Sequence, residues 1–418
     1  MSLALGRQNA TQARPLLVKV ETLRASVLWA FVASGFVASV EPSPYEFLFL
    51  CAALAYGWNS LLFDRSFIPM LLCLALFEAG GLTALAPYVG ESASVSFVAT
   101  SIYVAITAIF FAALVANNPV DRLRTIKSGY IAAGTIAGLL GVLGYFDVAG
   151  LGPSLTAYDG QRAAGLFKDP NVYGPFLVPP IVFLVQDMLL GRGYGLRRLI
   201  PIIVMMLGLF LSFSRGAWGV LAATLLLVVG LTFITAQSAV LRRRVIIVSL
   251  IGLAGLVAAL LIALTIPSVR DIFELRASLD QYYDVGQLGR FGAQWRSLPM
   301  LLDRPFGFGP LQFNKIFPQA PHEVYVNAFS AYGWLGGLAF VAFTALTIYA
   351  GARAAFKTSP LQSDAITIWS CVLVQMVQGF QIDTDHWRHL FLLIGLLYGL
   401  AAAVRLQNRR VIGEKLRR

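Results

Sequence analysis

Long runs of apolar residues, separated by short polar connections, occupy the chain from about Ala25 to Val404. A membrane-crossing helix needs roughly 20 apolar residues, and about twelve windows of this kind follow one another. They are residues 25–40, 45–61, 67–89, 96–116, 128–147, 173–190, 198–213, 215–235, 245–266, 322–350, 365–382 and 387–404. Because the runs are continuous and do not alternate between apolar and polar residues, they predict helices and exclude barrel strands. We therefore expect an all-α polytopic membrane protein with about twelve transmembrane helices.

Composition supports this interpretation. Of the 418 residues, 58% are hydrophobic and 13% are charged, whereas a soluble domain has about a quarter of its residues charged. The chain is thus expected to form a single transmembrane domain over residues 1–418. Residues 267–321, between the ninth and tenth windows, form the one long connection, and we expect short amphipathic helices there.

Lysine and arginine predict the orientation of the chain, because short cytoplasmic loops are enriched in both. Alternate connections, counted from the N-terminus, hold 22 of the 32 basic residues. These connections and both termini are therefore expected to be cytoplasmic. Since the basic residues are dispersed among short loops, the net charge of +11 does not indicate a nucleic-acid partner.

The ten remaining basic residues fall on the side away from the cytoplasm, where topology disfavours them. They are Arg162, Lys168, Arg215, Arg270, Arg276, Arg290, Arg296, Arg304, Lys315 and Arg388. An anionic ligand would explain their retention.

Arg162 and Arg215 are the strongest candidates for an anion site. Arg162 lies in the loop 148–172, which is rich in Gly, Pro, Asp and Asn taken together, whereas Arg215 opens a helix in the segment FSRGAWG. A guanidinium group binds phosphate oxygens bidentately, and a helix N-terminus adds positive potential. For Arg215, the alternative is an interfacial side chain that anchors a helix end.

Histidines are candidates for proton transfer. His322 opens the tenth window, and the cluster Asp383-Thr-Asp385-His386-Trp-Arg388-His389 precedes the last one. Histidine is the side chain best suited to moving a proton near neutral pH, although an interfacial helix-capping role for His322 stays open. The Asp-x-Asp motif formed by Asp383 and Asp385 could bind a metal. We favour instead a supporting role, in which Asp385, His386, Arg388 and His389 orient the reacting groups.

Five short motifs of the chain carry a resemblance to a known family. Arg162-Ala-Ala-Gly-Leu166 matches an Arg-x3-Leu motif, and His322 followed by ten residues and Gly333 matches a His-x10-Gly motif. The segments GLFKDPNVYG at 165–174, FSRGAWG at 213–219 and RPFGFGP at 304–310 complete the set. Together the five motifs resemble those of the bacterial O-antigen ligases and the wider O-antigen ligase/polymerase superfamily. The layout is also similar from about residue 70 to the C-terminus.

The resemblance implies a multi-pass enzyme of the bacterial inner membrane with a periplasmic active site and a role in lipopolysaccharide biosynthesis. Such a ligase transfers a glycan from undecaprenyl diphosphate to the lipid A-core oligosaccharide, inverts the anomeric centre, and uses no cofactor and no metal. By this interpretation Arg162 and Arg215 stabilise the diphosphate, and His322 activates or positions the acceptor hydroxyl. Further contacts to the diphosphate or the glycan are expected from Arg290, Arg296, Lys168 and Asn171.

Two alternatives stay open from the sequence. A polysaccharide polymerase of the same superfamily would use the same donor and the same arginines. A lipid-linked glycan flippase is less favoured, because Glu78 is the clearest charged residue within a window and transporters place several such groups near the midplane. Glycan identity and oligomeric state do not follow from the sequence.

Overall fold

The computed structural model describes residues 5–158, 160–277 and 289–417. Within these residues the chain forms sixteen α-helices and one two-stranded antiparallel ribbon. The helices are α1 (Leu5–Ala33), α2 (Pro44–Tyr56), α3 (Ile68–Leu85), α4 (Ser92–Asn117), α5 (Pro119–Tyr145), α6 (Gly152–Leu155), α7 (Pro170–Leu189), α8 (Leu196–Leu211), α9 (Arg215–Thr235), α10 (Ala239–Ala263), α11 (Pro267–Ala277), α12 (Arg290–Leu302), α13 (Phe313–Ile316), α14 (Val324–Ala355), α15 (Gln362–Gln378) and α16 (Arg388–Arg417). The ribbon strands are β1 (Thr156–Ala157) and β2 (Arg162–Ala163).

Each of the twelve apolar windows overlaps one of these helices. Eight helices of the described residues are long and apolar enough to cross a membrane. They are Arg65–Tyr88, Ser92–Asn117, Pro119–Tyr145, Pro170–Leu189, Arg215–Thr235, Ala239–Ala263, Val324–Ala355 and Arg388–Gln407. The α2, α8 and α15 helices have 13, 16 and 17 residues, which is short for a full crossing. The all-α membrane class is confirmed, whereas twelve crossings and their orientation stay predictions.

Glycines let the central helices approach each other closely. A Cβ atom on Gly80 of α3 would lie 2.6 Å from the backbone nitrogen of Gly336 in α14. A Cβ atom on Gly395 or Gly399 of α16 would lie 2.5 or 2.7 Å from a backbone carbonyl oxygen of α4. Small residues at helix interfaces are typical of membrane proteins, because packing between backbones replaces the hydrophobic effect there.

The α10 helix has an apolar surface that the rest of the chain leaves exposed. Almost none of its apolar stretch is buried, and Leu250, Ile251, Leu261 and Ile262 are each more than 60% exposed. An apolar face of this extent is unfavourable in water. Lipid contact explains it, which agrees with a membrane-embedded bundle.

The interhelical connections assemble in two separate sets. In the first set, ion pairs and hydrogen bonds join Lys168 to Glu41, Arg388 to Ser43, and Lys315 to Glu91. In the second set, they join Arg122 to Glu21, Lys127 to Asp364, and Arg405 to Asp64. Along the chain, connections of the first set alternate with connections of the second set. Because successive helices run in opposite directions, the two sets mark the two ends of the bundle. We call the end that holds the first set the site end.

The α14 helix is broken at Gly333, where the turn 304–310 docks. Gly333 has φ 66° and ψ −170°, and a Cβ there would lie 2.6 Å from the Pro305 carbonyl oxygen. The Trp334 N–H donates to that carbonyl at 2.8 Å, and the Phe308 N–H donates to the Ser330 carbonyl at 2.8 Å. Only glycine tolerates this backbone conformation without strain. The RPFGFGP turn and the glycine of the His-x10-Gly motif therefore form one structural unit.

Candidate functional site

Arg162 joins two connections at the site end. It lies on β2, is 4% exposed, and its Nε donates to the Ser212 carbonyl at 2.7 Å. A terminal nitrogen donates to Asn171 Oδ1 at 2.8 Å, in the first turn of α7. The guanidinium carbon also lies 5.2 Å from the ring centroid of Tyr158, a cation–π distance. These contacts hold the guanidinium group against the turn that leads into α9.

Arg215 is the first residue of α9, directly after that turn. The Ser214 hydroxyl caps the helix by accepting from the Ala217 N–H, and Phe213 before it has φ 46°. Since Arg162 bonds to Ser212, the loop that holds Arg162 and the turn that holds Arg215 are in contact.

His322 lies immediately before α14 in a left-handed conformation, with φ 47°. The next residue, Glu323, caps α14 by accepting from the Tyr325 and Val326 N–H groups at 3.2 and 2.6 Å. The Glu323 N–H donates to Asp383 Oδ1 at 3.1 Å. A positive φ is uncommon for histidine and marks strain that the neighbouring contacts maintain. His322 is thus held beside the 379–387 connection, and its convergence with Arg162 and Arg215 on one cavity stays a prediction.

A cavity of about 600 Å³ opens beside these residues. The 379–387 connection and the first residues of α16 form one wall of it, and residues 167–172 form another. Its polar lining includes Lys168, Asp169, Asn314, Asn327, Asp383, Asp385, His386, Arg388 and His389. The predicted supporting residues and Lys168 therefore share one cavity, whereas Arg162, Arg215 and His322 are not among its described lining.

The buried Asp385 and the partly buried His386 form a polar pair in this cavity. The His386 Nδ1 lies 3.2 Å from Asp385 Oδ2, and its Nε2 lies 2.9 Å from the Phe97 carbonyl oxygen. Both ring nitrogens thus face acceptors, which favours the doubly protonated imidazolium. Burial opposes this charge, but the Asp385 carboxylate and the Phe97 carbonyl outweigh it and raise the pKa of His386. Asn327 also donates to Asp385, at 3.2 Å.

One lysine and one arginine line the cavity, and each is ion-paired with a glutamate. Arg388 lies 2.5 Å from Glu46 of α2, donates to the Ser43 hydroxyl at 3.2 Å, and so fixes the start of α16 to the start of α2. Lys168 pairs with Glu41 at 2.8 Å, and this hydrogen bond lowers the pKa of Glu41.

Asp383 of the same cluster has a raised pKa. Burial in the cavity wall, followed by the neighbouring Asp385 carboxylate, raises its pKa to about 7. Among the described residues, no three His, Cys, Asp or Glu side chains are grouped as metal ligands. Metal independence itself stays a prediction.

The α12 helix carries the two remaining predicted contacts. Arg290 is its first residue, and the side chain of Arg290 lies outside the described part of the chain. The Arg296 guanidinium lies 5.8 Å from the Phe317 ring centroid. Gln294 Nε2 donates to the Pro321 carbonyl at 2.7 Å, so α12 contacts the peptide directly before His322.

Sequence reasoning missed three residues that shape the site: Glu46, Glu323 and Asn327. Glu46 had a visible signal, because Ser43 and Glu46 have the spacing of a capping box, and both of its hydrogen bonds are present. Glu323 and Asn327 follow His322 within a helical turn and a half. Their partners lie about 60 positions away, beyond any local pattern.

The fold and the site define a polytopic helical membrane protein with a polar cavity at one end of its bundle. Residues 200–341, about one third of the chain, match the family model described as O-antigen ligase, Wzy_C. This match supports membership of the chain in the O-antigen ligase superfamily and confirms the resemblance that the motifs indicated. The matched segment includes Arg215, Arg290, Arg296 and His322. The chain matches no curated protein.

Proposed function

We propose that the protein is an O-antigen ligase, which transfers a glycan from undecaprenyl diphosphate to the lipid A-core oligosaccharide. The observation that carries this proposal is the O-antigen ligase match over residues 200–341. The enzyme acts in the bacterial inner membrane, with the site end facing the periplasm. Its partners are the two lipid-anchored substrates and the surrounding lipids.

The donor diphosphate binds beside Arg162 and Arg215. The contact between the Arg162 side chain and Ser212 supports this placement, because it brings both arginine-bearing connections together. When the bond between the anomeric carbon and the diphosphate oxygen breaks, negative charge grows on that oxygen. Fixed guanidinium groups stabilise the charge without reorganisation. Arg290, Arg296, Lys168 and Asn171 provide further contacts to the diphosphate or to the glycan.

The acceptor hydroxyl attacks the anomeric carbon from the opposite face, so the configuration inverts. Its oxygen forms the new glycosidic bond, its proton moves to His322, and undecaprenyl diphosphate leaves. The strained backbone of His322 and the cap at Glu323 support a fixed orientation for the imidazole. Asp385, His386 and Arg388 orient the adjoining connection, and no metal or cofactor takes part.

Deletion of the gene in its source bacterium tests this function. Loss of a ligase leaves lipid A-core without attached glycan, while glycan accumulates on undecaprenyl diphosphate. Loss of a polymerase instead leaves lipid A-core that carries a single repeat unit, because ligation continues. Loss of a flippase leaves the lipid-linked glycan on the cytoplasmic face. Lipopolysaccharide electrophoresis and lipid extraction distinguish these outcomes, and only the first supports the proposal.

A further inference from the structure

The charge of the 600 Å³ cavity argues against a diphosphate as its occupant. Four carboxyl side chains line it, from Glu41, Asp169, Asp383 and Asp385, together with the cations of Lys168, Arg388 and protonated His386. Lys168 is paired with Glu41 and Arg388 with Glu46, so neither cation is a dedicated anion ligand. His386 is likewise paired with Asp385, so a diphosphate would have to compete with these carboxylates for every cation, whereas a neutral polar ligand needs no unpaired cation.

A buried histidine forms part of the wall of this cavity. His389 lines it and is 5% exposed, and its Nε2 has no hydrogen-bond partner among the described residues. The ring is stacked on Trp387 at 5.1 Å and lies edge-on to Phe176 at 5.7 Å, which fixes its position. An unpaired buried polar atom is costly and rare in folded proteins. Because His389 lies in the wall of the cavity, a bound ligand can supply the missing hydrogen bond there.

The other lining groups suit a sugar ring. A hydroxyl both donates and accepts, so it can pair with an imidazole nitrogen, a carboxylate or an amide. The cavity offers all three, from His389, Asp385 and Asn314, beside the aromatic faces of Phe97 and Trp387. A site for a small organic ligand typically combines apolar and aromatic walls with a small number of precisely placed polar groups.

We propose that this cavity binds the hydroxyl-bearing sugar of the acceptor glycan, with His389 Nε2 as one of its hydrogen-bond partners, while the donor diphosphate binds outside it, beside Arg162. This assignment rests on the proposed transfer function, because it gives each of the two substrates its own region. Pro321 lines the cavity, and His322 follows it directly. On the other side, Asn171, which accepts from Arg162, lies between the lining residues Asp169 and Val172. The acceptor sugar is thereby bordered on one side by the segment that holds His322 and on the other side by the residues that contact Arg162.

His389→Phe tests the assignment, because phenylalanine keeps the ring packing and removes the nitrogen. The full-length protein in detergent is titrated with core oligosaccharide released from lipid A, and separately with glycan-free undecaprenyl diphosphate. We expect core oligosaccharide affinity to fall about tenfold, the scale of one hydrogen bond, and undecaprenyl diphosphate affinity to stay unchanged. The melting temperature of the ligand-free variant should stay equal or rise, since an unpaired polar atom is removed.

Gln375→Leu is the matched control. Gln375 is 0% exposed with both amide atoms unpartnered, but it is not among the described residues that line the cavity. Its replacement should leave core oligosaccharide affinity unchanged. His389→Gln, which retains polar atoms, should recover part of the affinity and also serves if the Phe variant does not fold.

Two results would overturn the assignment: unchanged core oligosaccharide affinity in both His389 variants, or a selective loss of undecaprenyl diphosphate affinity. Failure of the transfer function is a separate outcome. It would show as core binding that depends on His389 in a protein that transfers no glycan to lipid A-core.

Discussion

Arg162 is held on two sides by hydrogen bonds that a lysine cannot make at once, from Nε to Ser212 and from a terminal nitrogen to Asn171. We therefore expect Arg162→Lys, and likewise Arg215→Lys, to lose about 2–4 kcal/mol of transition-state stabilisation, although charge is retained. Donor binding and transfer would both weaken, measured with lipid-linked glycan in proteoliposomes. Arg270→Lys is the control, since Arg270 is exposed and lies near the acidic side chains Asp271 and Glu274. Equal transfer by all three variants would remove the arginines from the mechanism.

His322 should affect transfer and leave donor binding intact, because a base acts on the acceptor hydroxyl. Its φ of 47° requires two variants. His322→Ala removes the imidazole and adds backbone strain, whereas His322→Asn removes the imidazole but tolerates a left-handed backbone. We expect both to suppress transfer while undecaprenyl diphosphate binding persists. Transfer retained by the Asn variant would assign His322 a backbone role, and donor binding lost in both would make it a phosphate ligand.

Asp383 should make stability depend on pH. Its pKa rises from the ordinary 3.8 to about 7 in the folded protein, so the folded state retains a proton that the unfolded state releases. The stability contribution is complete below about pH 4 and is lost as pH rises to about 7. It amounts to at most about 4 kcal/mol. Melting temperatures between pH 5 and 8 should therefore fall less steeply in Asp383→Asn than in the wild type, while the exposed-site control Asp271→Asn keeps the wild-type slope. Parallel slopes for the wild type and Asp383→Asn would contradict this expectation.

At the level of elements, the break in α14 links the RPFGFGP turn to the segment that begins at His322. Gly333→Ala should destabilise the protein by at least about 1–3 kcal/mol through backbone strain alone, with a further clash against the Pro305 carbonyl oxygen at 2.6 Å. Transfer should fall with it, because the turn shifts. Gly230→Ala in α9 is the control, since a Cβ there meets nothing within 4 Å. If Gly333→Ala melts like the control, the break does not depend on glycine.

The helices were predictable because apolar runs report burial and lipid contact directly, so each window overlaps a helix. Crossing number was less predictable, since α2, α8 and α15 are shorter than a full span. The motifs identified Arg162, Arg215 and His322, but no local pattern could reveal that Arg162 bonds Ser212, fifty residues away. The role of Gly333 likewise depends on a distant turn. Long-range contacts of this kind follow from packing and not from local periodicity.

At the scale of the whole molecule, charged connections gather in two sets at the two ends of the bundle, and all the predicted site residues with described side chains lie at one end. Both proposed substrates are lipid-anchored, so they can reach this end from the plane of the membrane. The apolar, exposed α10 helix supports direct lipid contact along the bundle. This arrangement supports the proposed reaction at the membrane surface.

Reconstitution of the purified protein tests the central claim most directly. Proteoliposomes receive undecaprenyl diphosphate-linked glycan and either lipid A-core or a second lipid-linked glycan, with and without EDTA, and the products are separated by electrophoresis. We predict glycan-bearing lipid A-core that forms at nearly the same rate with EDTA, because arginines and not a metal stabilise the leaving group. Product that forms only between two lipid-linked glycans would identify a polymerase. A requirement for Mg²⁺ or Mn²⁺ would contradict the arginine mechanism and place Asp383 and Asp385 at its centre.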